Sequence, residues 1–471
     1  MAERIPIAPN PTFAASEAPR STSASTGERV FIETYGCQMN VSDTELILGI
    51  LRPAGYRQAT AIEDADVILL NTCAIREHAE QRVWGRLGEL ARLKRTRPEL
   101  KLGVVGCMAK HVGEELTGAS AAVDVLASPD AYRSLPRLLA AAGDSTQLDL
   151  HLDRAEQYEG IDPVRTRGIH AWVTIMRGCD KFCTFCVVPY VRGRERSVPP
   201  DEVVRQVEDH ARAGGLEVTL LGQTVNAYHH DEVGFAELLA RVAVVPGIRR
   251  VRFTSPHPAD FEPQVLKVMA SHPTIMKHVH LPVQSGSDRV LARMRRSYTR
   301  AQYLDLVERM REAMPSVTFT TDLIAGFPGE TDEDFAETLS LVSEVGYESA
   351  FMFKYSEREG TIAHREIPET VSEEEKGRRL TRLVELVEVI AAERNRAWEG
   401  REVEVLVEGQ SRRDASRLYG KTEHGKTVVF PANGARPGDF VRARVLRSTS
   451  HTLHGELMVA QAGLALLGGA A

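Results

Sequence analysis

The chain has 471 residues, 43% of them hydrophobic, and 58 basic against 65 acidic side chains for a net charge of −7. That length carries two or three domains with cores of their own, and the mild acidity excludes a protein held to nucleic acid by its overall charge. No apolar run approaches the roughly 20 residues that span a bilayer, and the N-terminus lacks an export signal, so a cytoplasmic protein with no membrane partner is expected.

Residues 1–27, rich in Pro, Ser, Thr and Ala, read as a disordered tail. Residues 28–145 read as a parallel α/β domain. Its apolar runs Val30–Tyr35, Val67–Leu70 and Leu102–Val105 alternate with helical stretches, and Cys37, Cys73 and Cys107 follow them within a few residues. Strands separated by helices make a parallel sheet, and ligands gather beyond the carboxyl ends of its strands. Three thiols leaving neighbouring strands at one edge would therefore converge on a three-thiolate site despite their wide spacing. Three ordinary buried cysteines are the competing reading.

Residues 165–397 repeat strand then helix six times. The predicted strands are Ala171–Met176, Val218–Gln223, Arg250–Thr254, His278–Val283, Val317–Ile324 and Ala350–Tyr355, with a long last helix from about Ser372. Right-handed crossovers curl such a chain into a barrel or a partial (β/α)6 barrel, whose function gathers at the carboxyl ends of its strands. Directly after the first strand comes Cys179-x-x-x-Cys183-x-x-Cys186. Three thiolates within eight residues can hold three corners of an iron–sulfur cube, leaving one iron open to a small molecule. A structural zinc ion normally takes four ligands. No fourth cysteine follows, and His170 and His210 stand at separations unlike finger spacing. Zinc, a disulfide and unrelated thiols remain the alternatives, although six cysteines in so long a chain suit reduced thiols and metal better than a disulfide framework.

Residues 398–462 change character. Val403–Val407, Thr427–Phe430 and Phe440–Val445 are separated by Gly-containing turns, which predicts a small antiparallel β-barrel. Between Arg401 and Arg447 there are ten Lys/Arg against six Asp/Glu, and Arg289, Arg293, Arg295, Arg296 and Arg300 form an acid-free run. Both regions, with Arg192, Arg194 and Arg196, are candidate contacts to phosphates; solvated faces are the plainer reading.

The triplet Cys179–Cys186 resembles the signature of the radical S-adenosylmethionine superfamily. Together with Thr34-Tyr-Gly-Cys-Gln-Met-Asn40, Asn71-Thr-Cys-Ala-Ile-Arg76 and Gly193-Arg-Glu-Arg-Ser197, it resembles the methylthiotransferase family, and within it the tRNA 2-methylthio-N6-isopentenyladenosine (dimethylallyladenosine) synthase branch. The resemblance implies an N-terminal methylthiotransferase domain, a radical barrel and a C-terminal TRAM domain for RNA. It implies two 4Fe–4S clusters, one on Cys179, Cys183 and Cys186 and one on Cys37, Cys73 and Cys107, with S-adenosylmethionine consumed in two roles. It also implies C2 methylthiolation of the isopentenylated adenosine on the 3′ side of the anticodon, within a tRNA anticodon stem-loop. An electron donor of the flavodoxin or ferredoxin type and a sulfur or cluster-repair donor are the further partners implied.

By the same resemblance, Asp322–Glu330, with Ile324 and Gly326, lies against the adenosine of S-adenosylmethionine. Gly215 and Glu217 stand where the superfamily has a Gly-Gly-Glu contact to the methionyl amine, although Leu216 interrupts that pattern here. Ser255 and Gln284, at predicted strand ends, are further candidate contacts. Thr331 doubles as the N-cap of the next helix. The alternatives within the family are a ribosomal-protein aspartate methylthiotransferase and an enzyme acting on threonylcarbamoyladenosine. The first has Pro-Lys after its first cysteine, where this chain has Gln38-Met39.

Overall fold

The computed structural model describes residues 27–458, apart from 75, 76, 120, 121, 144 and 167. The predicted tail, save its last residue, and the final residues assigned to the C-terminal domain lie outside the described residues. Among the described residues no helix is long and apolar enough to cross a membrane.

The N-terminal domain is a six-stranded sheet in which every neighbouring pair runs parallel. Its three central strands, Arg29–Thr34, Val67–Thr72 and Lys101–Gly106, lie side by side in that order. Val67–Thr72 is buried along its whole length, as a strand covered on both faces must be. The last strand of the sheet, Gln147–Asp149, carries the domain past the predicted boundary at residue 145. Tyr158, Ile161 and Val164 then pack against the same core. Three-residue strands such as Val125–Ala127 and Gln147–Asp149 are too short to show a period, which is why the sequence reading stopped early.

The barrel strands follow one another in chain order as two parallel triplets. His170–Thr174, Glu217–Leu221 and Arg250–Phe253 form one, and His278–His280, Thr318–Ala325 and Ser349–Lys354 the other. A parallel bridge between Val251 and Ile275 joins them. One continuous apolar core, from Ala171 through Phe253 and Leu323 to Val387, fills the barrel and the space beneath its helices. Thr331 does cap the helix Asp332–Val345, with Asp334 completing a capping box, and Ser372 caps the last helix, Glu373–Arg396.

The C-terminal domain is a closed five-stranded barrel. It adds Arg417–Lys421 and Leu453–Leu457 to the three predicted strands. It is docked rather than tethered. Phe440 lies under the guanidinium groups of Arg249 and Arg250, at 4.2 and 5.0 Å from the ring centre. Buried Lys426 bonds Glu348 of the last barrel strand's approach and Asn395 of the last helix.

Candidate functional site

The helix Gln38–Leu51, which starts straight after Cys37, decides how the N-terminal domain meets the barrel. Twelve of its fourteen residues are buried, so it has no solvent face on which to place its polar side chains. Those side chains instead make the interface. Ser42 shares a hydrogen bond with Thr174 at 2.9 Å, and Glu45 accepts from Arg165 and Thr166. Asp43, 0% exposed, accepts from Arg177 Nη1 at 3.0 Å and from Arg192 Nη2 at 2.7 Å. Burial alone would disfavour the carboxylate, but the two guanidinium groups outweigh it and hold Asp43 below the usual carboxylate range.

Cys37, Cys73 and Cys107 leave three adjacent strands at the same edge and come together there. Asn40 and Asn71 lock the arrangement. The Asn40 carboxamide oxygen accepts from the backbone N–H of Cys37, while its nitrogen donates to Asn71 Oδ1 and to the carbonyl of Thr72, next to Cys73. Gly36 and Gly106 flank this site with φ of +137° and +94°. A Cβ at Gly36 would fall 2.5 Å from Cys73 Cβ, and one at Gly106 would fall 2.7 Å from the carbonyl of Thr72. Only glycine fits either position. A hydrogen bond from Cys73, reinforced by the nearby charge of Arg192, brings the Cys37 thiol down to about 6. Arg192 Nε donates to Cys107 Sγ at 3.0 Å.

The second triad sits at the carboxyl end of the barrel. Its loop is pinned by hydrogen bonds from Cys179 N to the carbonyl of Gly193 and from Thr184 N to the carbonyl of Met294. Cys179 Sγ lies 3.2 Å from Thr224 Oγ1, and Cys183 Sγ accepts from Arg296 Nη1 at 3.3 Å. Burial and the neighbouring Cys183 push the Cys186 thiol up to about 12. Neighbours of the two triads pack together. Val187, next to Cys186, packs with Cys107 and with Ala74, next to Cys73; Cys37 packs against Leu221, which ends the second barrel strand.

Among the described residues no three His, Cys, Asp or Glu side chains are spaced to hold a single metal ion. Buried polar atoms without partners among the described residues stand beside each triad: the donor Arg192 Nη1 at the first, and the amide nitrogen and oxygen of Gln223, next to Thr224, at the second. A buried polar group left unpaired costs about 1–3 kcal/mol, which a bound polar partner would recover.

Ser255, Gln284, Ile324 and Gly326 all lie at the cysteine-bearing end of the barrel. Ser255 and Gln284 have φ of +58° and +71°. Gln284 is held in that conformation by backbone bonds to Asp322 and Ile324. Such strain in non-glycine residues gathers at functional sites. Ile324 packs with Phe185 of the cysteine loop around Phe327 and Tyr355.

Gly215 and Glu217 do not join them. Glu217 opens the second strand opposite His170, at the amino end of the barrel. At about 3.3 Å per residue it is roughly 20 Å from Gln223. It pairs there with Arg252 at 3.0 Å, and Gly215 caps the preceding turn. The two residues that do occupy the carboxyl end of that strand, Gln223 and Thr224, were missed by sequence reasoning. The segment Gly222-Gln223-Thr224 was the available signal: a Cβ on Gly222 would meet Met176 at 2.6 Å.

The arginines also divide differently. Arg192 and Arg196 are buried, 3% and 7% exposed, and are paired with Asp43 and Asp130. They clamp the two domains and cannot reach phosphates; Arg194 alone of the three is exposed, paired with Asp180. In the Arg289–Arg300 run, Arg296 serves Cys183, while Arg289 and Arg300 pair with Asp334 and Glu344.

Three family models match successive parts of the chain: "Uncharacterized protein family UPF0004" over residues 29–128, the radical SAM superfamily over 173–342 and the TRAM domain over 396–458. The tRNA-2-methylthio-N(6)-dimethylallyladenosine synthase of Bacteroides thetaiotaomicron is 45% identical over 447 residues, covering 93% of this chain and 98% of that protein. That of Chlorobium luteolum is 46% identical over 434 residues, covering 91% and 97%. Among solved structures, the radical S-adenosylmethionine methyltransferase TsrM from Kitasatospora setae aligns with a TM-score of 0.50 at 14% identity, over 69% of this chain and 73% of that one, a likeness of fold. The chain therefore belongs to the tRNA-2-methylthio-N(6)-dimethylallyladenosine synthase family.

Proposed function

We propose that the protein is a tRNA methylthiotransferase that converts C2–H of N6-dimethylallyladenosine, on the 3′ side of the anticodon, into C2–SCH3. The observation that carries this reading is the meeting of two three-thiol sites across the domain junction. Cys179, Cys183 and Cys186 would hold one 4Fe–4S cluster, with S-adenosylmethionine at its open iron, and Cys37, Cys73 and Cys107 would hold the other. Bound there, these groups supply reductive cleavage of S-adenosylmethionine and a source of sulfur, the kind of chemistry needed because an aromatic C–H is too weak an acid for a side-chain base.

The chain's own residues then have defined tasks. Thr224 and Arg296 orient Cys179 and Cys183 and offset the negative charge of thiolates. Gln223, Ser255 and Gln284 present polar groups to the methionyl part of S-adenosylmethionine, while Ile324 and Gly326 offer an apolar edge to its adenine. Burial, with Arg296 and Lys181 nearby, lowers His257 to about 2 and keeps its imidazole neutral. The C-terminal barrel presents exposed Arg412, Arg413, Arg442 and Arg444 to the phosphates of the tRNA. Electrons would come from a flavodoxin- or ferredoxin-type protein, and sulfur from a separate donor.

Mass spectrometry of tRNA nucleosides from cells lacking this protein tests the reading. The methylthiolated nucleoside should vanish and its unmodified dimethylallyl precursor should accumulate. Unchanged levels of the methylthiolated form would refute it.

A further inference from the structure

Arg192 belongs to the barrel by sequence, six residues after Cys186, yet its head lies in the thiol site of the other domain. Nη2 is tied to Asp43 at 2.7 Å and Nε to Cys107 Sγ at 3.0 Å. Nη1 is buried and has no partner among the described residues. Asp43 is itself fixed from the far side by Arg177, two residues before Cys179. The planar guanidinium is thus held by two of its three nitrogens, and the third is left with two protons and no acceptor. Asp43 balances the charge of this guanidinium, buried to 3% exposure, but no acceptor among the described residues meets its third nitrogen, which an electron-rich group in the pocket would satisfy.

We propose that Arg192 is a positioning residue for the iron–sulfur cluster of Cys37, Cys73 and Cys107, donating from Nε to the Cys107 sulfur and from Nη1 to an inorganic sulfide of that cluster. The proposal rests on the reading that this triad holds a cluster. It has a structural consequence: the sulfur site of the N-terminal domain is complete only when the barrel is docked, because the barrel supplies a charged hydrogen-bond donor to Cys107. Hydrogen bonds to cluster sulfurs raise the reduction potential. Arg192 therefore poises this cluster higher than three thiolates in an apolar pocket would. Lysine keeps the charge but, as a point donor on a flexible stem, cannot serve Asp43, Cys107 and a sulfide together.

The test uses full-length protein with Cys179, Cys183 and Cys186 all changed to Ala, reconstituted anaerobically so that the N-terminal cluster alone is observed. Into it go Arg192→Lys and, as a pair that leaves the net charge of the Asp43, Arg177 and Arg192 network unchanged, Arg192→Met with Asp43→Asn. Iron and sulfide content, electron paramagnetic resonance of the reduced state and potentiometric titration are compared. Both variants should bind iron as the parent does, reduce at more negative potential and show altered g-values, with Arg192→Lys intermediate. Unchanged potential and spectra in both variants would overturn the role of Arg192 while leaving the cluster reading intact. Failure of the parent, with Arg192 in place, to assemble a cluster would instead overturn the cluster reading and the proposal with it.

Discussion

Asp43→Ala probes the junction most sharply. The carboxylate is wholly buried and bonds two guanidinium groups, Arg177 and Arg192, that are 4% and 3% exposed. Removing one partner of a buried ion pair costs about 3–5 kcal/mol, because the remaining charge is left uncompensated in a poor dielectric. Here two like charges are stranded side by side, so the upper part of that range applies. For a domain of this size each kcal/mol is worth about 2–4 °C, so the upper part of the range gives a fall of roughly 8–20 °C in the melting of the N-terminal unit. Calorimetry on cluster-free protein reads this directly. The companion variant carries Asp43→Ala, Arg177→Met and Arg192→Met together, and it should recover most of the loss, since a buried charge network replaced whole by apolar side chains is near neutral. If the single variant melts within about 2 °C of the parent, or the triple variant is no more stable than the single, the electrostatic account of the junction is wrong.

Four other outcomes follow from the geometry. Cys183→Ala should abolish formation of 5′-deoxyadenosine, whereas Cys73→Ala should retain some of it and lose sulfur insertion; both products are read by chromatography and mass spectrometry. Gln223→Leu should lower S-adenosylmethionine affinity without loss of stability, because the leucine replaces a buried amide that has no partner among the described residues; isothermal titration of the reconstituted protein measures it. Ser255→Val should cost about 1–3 kcal/mol in urea unfolding, because a β-branched residue resists φ of +58°, and Ser255→Gly should be tolerated. Arg412→Ala with Arg413→Ala should weaken tRNA binding evenly across sequences and lower the slope of log affinity against log salt by about 2, checked by filter binding at several ionic strengths.

The parts of this molecule that repeat a simple period were legible before any coordinates. Val67–Thr72 and Thr318–Ala325 announce themselves as strands because long apolar or alternating runs leave few other choices. The convergence of Cys37, Cys73 and Cys107 was legible too, since a parallel sheet puts its strand ends at one edge. What stayed hidden was the partner of each charge. Asn40, Ser42, Asp43 and Glu45 look like the solvent face of a helix, and become interface only because a second domain closes over them. For the same reason Arg192 and Arg196 resemble a phosphate grip in sequence and turn out to be paired with Asp43 and Asp130, residues roughly 150 and 66 positions away. The misplacement of Gly215 and Glu217 has a different origin: two glycines before a strand and a polar segment after it are equally plausible as motif, and only the strand's direction tells which end meets the cysteines.

The most direct test of two thiol sites serving one reaction is Mössbauer spectroscopy with iron and sulfide analysis on anaerobically reconstituted protein and on its two triple-alanine variants. The account predicts two cubanes in the parent and one in each variant, with the signal lost on changing Cys179, Cys183 and Cys186 distinguishable from that lost on changing Cys37, Cys73 and Cys107. A parent holding a single cluster, or zinc in place of either, would contradict it.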